Sequence, residues 1–135
     1  MRLRLEQELA LLREFYNGTE HADSAGEDWF RLPSYPLPPG WRIGENAAGD
    51  IPIVFLVKAD YRGSPPYGFL VPAGINFNGA VPGHTGGPPK PPPFNGSWLH
   101  FSWSVENWMA TADVRKGSNL CAWCRSFAVR FKEGA

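Results

Sequence analysis

The heptapeptide Ile51-Pro52-Ile53-Val54-Phe55-Leu56-Val57 is the longest apolar run in the chain. Its β-branched, nearly continuous apolar character reads as a central strand covered on both faces. It is far too short to cross a bilayer, and it contains a proline. Around it the sequence is dense in helix breakers. Fourteen prolines and 15 glycines occur in 135 residues, crowded between Pro33 and Pro93, which points to strands joined by rigid loops. Upstream, Asp28–Leu32 is a candidate strand. The segment Pro33–Trp41, PSYPLPPGW, carries four prolines and is expected to be irregular. Downstream, Ala59–Pro66 reads as a turn and Tyr67–Gly74 as a second strand.

Helical spacing appears only at the two ends. Leu5, Leu9, Leu12 and Tyr16 mark an amphipathic first helix that stops near Asn17-Gly18. Leu120, Trp123, Phe127 and Phe131 mark a last helix, with Ser118 as its N-cap. The polar stretch Thr19–Asp28 between the first helix and the first strand reads as a connector. Residues 75–96, INFNGAVPGHTGGPPKPPPFNG, hold six prolines in 22 residues and read as a long flap loop. After it, Ser97–Trp103 returns to a strand pattern. The order of elements predicts one α+β domain over residues 1–135, an antiparallel meander of about four strands with the helices on one face.

Composition narrows the function classes. Thirteen basic and 13 acidic residues cancel, and no basic stripe exists, so neither nucleic acid nor an anionic membrane is an expected partner. The acidic residues within MRLRLEQELALL argue against a signal peptide. Two cysteines without an export signal suggest free thiols in a cytoplasmic protein. Cys121 and Cys124 form C-x-x-C, but both lie within the apolar periodicity of the last helix. His21, His84 and His100 offer no matching ligand spacing. Packing is the preferred reading, and no metal or cofactor site is expected.

The segment Phe94–Trp108, FNGSWLHFSWSVENW, carries the strongest candidate chemistry. In an extended strand Trp98, His100 and Ser102 share one face, and Leu99, Phe101 and Trp103 the other. A histidine beside a serine can serve as the base that a hydroxyl nucleophile requires. The same pair is also commonplace on an exposed strand. Asn95, or a loop N–H, is a candidate oxyanion donor. Asp113 could orient a neighbouring group or simply close a turn.

Several segments together resemble the ubiquitin-conjugating enzyme fold. YRGSPP at Tyr61–Pro66 is similar to that family's Tyr-Pro-x-x-Pro-Pro turn, with Arg62 in place of the first proline. Asn95-Gly96, followed by Trp108 and the last helix, resembles its reactive segment. YPLPPGW at Tyr35–Trp41, with FSW at Phe101–Trp103, is similar to a bacterial branch, prokaryotic family E, from about Glu6 onward. The resemblance implies a ubiquitin-conjugating-enzyme-like fold and partners in a ubiquitin-like protein and an adenylating activating enzyme. It also implies a first-helix docking surface, with Arg4 and Arg13, and an operon setting in antiphage defence. The family's nucleophile position falls at Leu99 or His100, and neither is cysteine. Three readings follow: a conjugating enzyme carrying its modifier as an oxyester on Ser102 with His100 as base, an inert adaptor, or a scaffold.

Overall fold

The computed structural model describes all residues, 1–135. Helix α1 spans Leu3–Phe15 and buries Leu5, Leu9, Leu11 and Leu12. The chain then makes a hairpin of β1, Glu20–Ser24, and β2, Glu27–Pro36. Three short strands and one long one follow: β3, Trp41–Ile43, β4, Asn46–Ala47, β5, Asp50–Val57, and β6, Phe69–Pro72. Then come β7, Ile75–Phe77, β8, Thr85–Gly86, β9, Trp98–Phe101, and helix α2, Leu120–Lys132. A six-stranded antiparallel sheet runs in the order β1-β2-β5-β6-β9-β8, and a small sheet in the order β4-β3-β7. The fold is α+β, with an N-terminal helix, antiparallel sheets and a C-terminal helix. No helix is long and apolar enough to cross a membrane.

Strand β5 lies inside the large sheet, as its composition predicts. Ile51, Ile53, Phe55 and Val57 point into the main core with both helices, and Val54 points to the other face, against Trp29 and Leu70. Aromatic packing ties α2 to the sheet. Phe127 lies 4.2 Å from Phe69 between ring centroids, and Phe131 lies 5.8 Å from Phe101. Offset and edge contacts of this kind add to the area term.

Four expectations need correction. The meander has more than about four strands, because the supposed connector contains β1, and 75–96 contains β7 and β8. Strand β1 was hidden by its position: as a sheet edge it buries no residue fully, so it lacks apolar alternation. Strand β2 continues through Pro33 to Pro36 because its register shifts between Leu32 and Tyr35, and at such a bulge a missing N–H costs no ladder bond. The N-cap of α2 is Asn119, whose Oδ1 accepts from the Ala122 N–H at 2.8 Å. Ser118 instead accepts from the Met109 N–H.

The flap is also pinned. Buried Arg130 of α2 donates to Gly134 O at 2.6 Å and to Gly83 O at 3.1 Å, with its guanidinium 5.0 Å from the Phe101 ring centroid. Lys90 pairs with Glu27 at 2.5 Å. Phe94 packs on the Trp29–Val54–Leu70 cluster. Residues 87–97 therefore form a strap over the sheet face that the helices leave bare.

A buried carboxylate joins the two helices. Glu8 is fully inaccessible. Its Oε2 accepts from Arg4 Nε at 3.0 Å and from Tyr61 Oη at 2.5 Å, and its Oε1 accepts from the Leu120 N–H at 2.9 Å. Replacing Glu8 with Ala leaves the Tyr61 hydroxyl and the Leu120 N–H unpaired in the interior and takes the carboxylate from Arg4, which keeps only its bond to Thr111 O. The expected cost is about 3 kcal/mol in urea denaturation, against about 1 kcal/mol for Glu8→Gln, which keeps an acceptor. A loss below about 1 kcal/mol for Glu8→Ala would show the cluster to be dispensable.

Candidate functional site

The period-two reading of β9 holds for the residues within it. Leu99 and Phe101 turn to the main core, whereas Trp98 packs against the Trp29–Val54–Leu70 cluster on the outer face. His100 stands opposite Leu70 of β6 and joins it on that outer face. Strand β9 ends at Phe101, so Ser102 lies just beyond it. Ser102 is exposed, and its N–H donates to His84 O at 2.9 Å, continuing the β8–β9 ladder by one step.

His100 sits at the wall of a cavity of about 160 Å³ between the outer face of the sheet and the strap. Trp29, Leu56 and Leu70 form its apolar floor, Tyr67 and His100 one side, and Lys58 and Lys90 its polar rim. The Tyr67 and His100 ring centroids are 6.3 Å apart. Partial burial alone lowers the imidazole below its ordinary pKa, so His100 is neutral at neutral pH. The imidazole takes part in none of the side-chain hydrogen bonds around β9, so it has no anchoring acceptor and no bond to Ser102.

Gly68 makes room for the imidazole. Its φ is +72°, and a Cβ built there would stand 2.1 Å from His100 Nε2. Two constraints therefore converge on one residue: a left-handed backbone and a ring packed on it. Sequence reading did not single out Gly68, Lys58 or Trp29. They reach the site through the β2-β5-β6-β9 pairing, and nothing in their local sequence marks it.

The other predicted site residues are not gathered around His100. Asn95 is exposed in the strap. Asp113 is exposed too, and its Oδ1 accepts from the Arg115 N–H at 2.9 Å, the turn-closing role. Its loop leans on α1, where Arg115 pairs with Glu14 and Arg4 donates to Thr111 O. Of the two arginines expected on a docking surface of α1, Arg4 is engaged within the fold and Arg13 stays exposed. Arg4 is bound to Glu8 with its side chain 12% exposed, and Arg13 Nε donates to Thr19 O at 2.9 Å.

Cys121 and Cys124 are free thiols in the core, in agreement with the packing reading. Burial is the main cause of raised pKa values, with Cys121 pushed up to about 11 and Cys124 well above its ordinary value. No group of three or more His, Cys, Asp or Glu residues is placed to hold a metal ion.

No protein-family model, curated protein or solved structure matches the chain.

Two measurements follow from this geometry. Gly68→Ala should cost about 2 kcal/mol in stability, from the left-handed φ, and move the His100 imidazole resonances. Unchanged imidazole shifts would count against the packing described. For the thiols, the folded state holds its protons to higher pH than the unfolded chain. Stability should stay level up to about pH 8 and then fall as pH rises, since the unfolded chain releases thiol protons first. A Cys121→Ala/Cys124→Ala pair that loses stability just as steeply between pH 9 and 10 would assign the decline to other groups, such as the buried tyrosines.

Proposed function

We propose that the chain is a ubiquitin-conjugating-enzyme-like protein of the prokaryotic family E type, and that it carries a ubiquitin-like modifier as an oxyester on Ser102. The observation that carries the reading is an exposed hydroxyl immediately after β9, two residues from a neutral imidazole on the outer face of the same strand. The order of α1, the β1-β2-β5-β6 meander, a long loop-rich segment and α2 supports it, as do the YPLPPGW and FSW motifs.

In the transfer step Ser102 Oγ attacks the carbonyl carbon of the modifier's C-terminal thioester on the activating enzyme. The Oγ–H proton passes to the unprotonated nitrogen of His100. The carbon–sulfur bond breaks, and the thiolate leaves on the activating enzyme. In discharge an acceptor amine attacks the ester carbonyl carbon and loses a proton to solvent, the carbon–Oγ bond breaks, and His100 returns its proton to the departing serine oxygen. A backbone N–H of the flap is the candidate for stabilising the oxyanion, because Asn95 is exposed in the strap and the Ser102 N–H already donates to His84 O.

A specific observation favours a second reading, an inert adaptor that binds a ubiquitin-like protein or its activating enzyme. His100 makes no hydrogen bond to Ser102, and neither Asn95 nor Asp113 completes a catalytic group.

One experiment separates them. The protein is incubated with ATP, a ubiquitin-like protein and the adenylating enzyme that activates it. The expected product is an adduct that survives thiol reductants, is cleaved by hydroxylamine and disappears in Ser102→Ala. In His100→Gln it should form about 100-fold more slowly. An adduct that persists in folded Ser102→Ala overturns the carrier assignment. Saturable binding without any adduct supports the adaptor.

A further inference from the structure

The cavity beside His100 has properties that modifier transfer does not use. It is roomy enough for one six-membered ring, since a cavity of about 150 Å³ holds benzene. Its floor is apolar, from Trp29, Leu56 and Leu70. Its rim is cationic, and the two lysines differ. Lys90 is neutralised by Glu27 at 2.5 Å, whereas Lys58 belongs to none of the ion pairs of the fold. Asp60 lies in a neighbouring depression that shares Lys58 and Tyr67, and it makes no ion pair with Lys58. Its Oδ2 accepts from Ser64 Oγ at 2.7 Å. The His100 imidazole adds an unpaired N–H donor to the wall.

An apolar slot the size of one ring, with an uncompensated ammonium and a neutral N–H donor at its edge, matches a ligand with an aromatic body and one carboxylate. From this combination we infer that the cavity between the outer sheet face and the strap binds a small aromatic carboxylate, its ring over Trp29 and Leu70 and its carboxylate on Lys58 and His100. The ring contributes buried apolar area and edge or offset contacts with the indole. The carboxylate supplies the charge-assisted hydrogen bonds that orient it. Binding requires neither a modifier nor an activating enzyme, so it stands or falls separately from the oxyester reading.

The test is a titration of the full chain with phenylacetate, followed by backbone amide shifts. Saturable shifts centred on Gly68, Leu70 and His100 are expected. Benzyl alcohol, which keeps the ring and lacks the charge, should bind at least tenfold more weakly. Lys58→Met keeps the aliphatic stem of an exposed side chain, so the fold should be preserved. It should weaken phenylacetate at least tenfold and leave benzyl alcohol unchanged. Equal affinity for the two probes would overturn the proposal, and so would shifts confined to another part of the molecule or shifts that never saturate. N-acetyl-Gly-Gly-Phe moving the same amides at lower concentration than phenylacetate would also overturn it, by assigning the carboxylate to a peptide C-terminus.

Discussion

The architecture depends on the buried carboxylate of Glu8. Helix α2 has no acidic residue in its first turn, yet its N-terminus lies in the interior, where unpaired N–H groups are expensive. Asn119 satisfies one of them from within the helix, and Glu8 of α1 satisfies another from outside. The negative charge also suits the positive end of the helix dipole. Tyr61 donates to the same carboxylate, and burial together with that neighbouring charge holds its hydroxyl protonated far above the ordinary range. One side chain thus fixes α1, the turn after β5 and the start of α2. Because α2 carries Phe127 and Phe131 onto Phe69 and Phe101, the same carboxylate sets where β6 and β9 lie, and with them His100.

The two faces of the large sheet are consequently unequal. The inner face has both helices and a continuous core of 23 buried residues. The outer face has only a small cluster of three, roofed by a proline-rich strap that is anchored by Lys90 and Phe94. A strap of this kind cannot pack like a helix, because it has no regular side-chain ridge and its prolines resist adjustment. A cavity on the outer face is the result. Chemistry follows the same division: the thiols are sealed on the inner side, and the unpaired imidazole and ammonium face outward.

The parts of the fold that were legible in the sequence are those where burial leaves a periodic trace. Ile51–Val57 and the two terminal helices are of this type. Strand β1 is polar on both sides and leaves no trace, although Ala25 and Gly26, both at positive φ, supply a tight turn between β1 and β2. Pro33 reads as a strand breaker until the bulge that accommodates it is seen. The site divides in the same way. A shared outward face for Trp98 and His100 follows from alternation along one strand. Gly68 beneath the imidazole, and Lys58 and Trp29 around it, follow only from the register of three neighbouring strands, which is a long-range property. Asn95 and Asp113 were singled out by local type, and their surroundings are ordinary: one is exposed at a bend of the strap, the other closes a turn beside α1.

The position of sulfur constrains which acyl chemistry is feasible. A thioester carrier needs a thiolate within reach of its donor. Cys124 lies against α1 and β2 in the core, where Tyr35 Oη donates to its carbonyl at 2.6 Å, and the surroundings disfavour its ionised form. Exposing it would mean lifting α2 off Phe69 and Phe101 and breaking the Glu8 contact, in effect unfolding the domain. Opening on that scale draws on the whole stability of a small protein, so the thiolate would be available only as a rare fluctuation. An exposed hydroxyl just beyond β9, such as that of Ser102, requires no opening. Its difficulty is intrinsic, since an alkoxide is far harder to generate than a thiolate, and it can be met only by a base nearby. His100 is the one imidazole on the outer face of β9, and the room it needs is created by a glycine at its side.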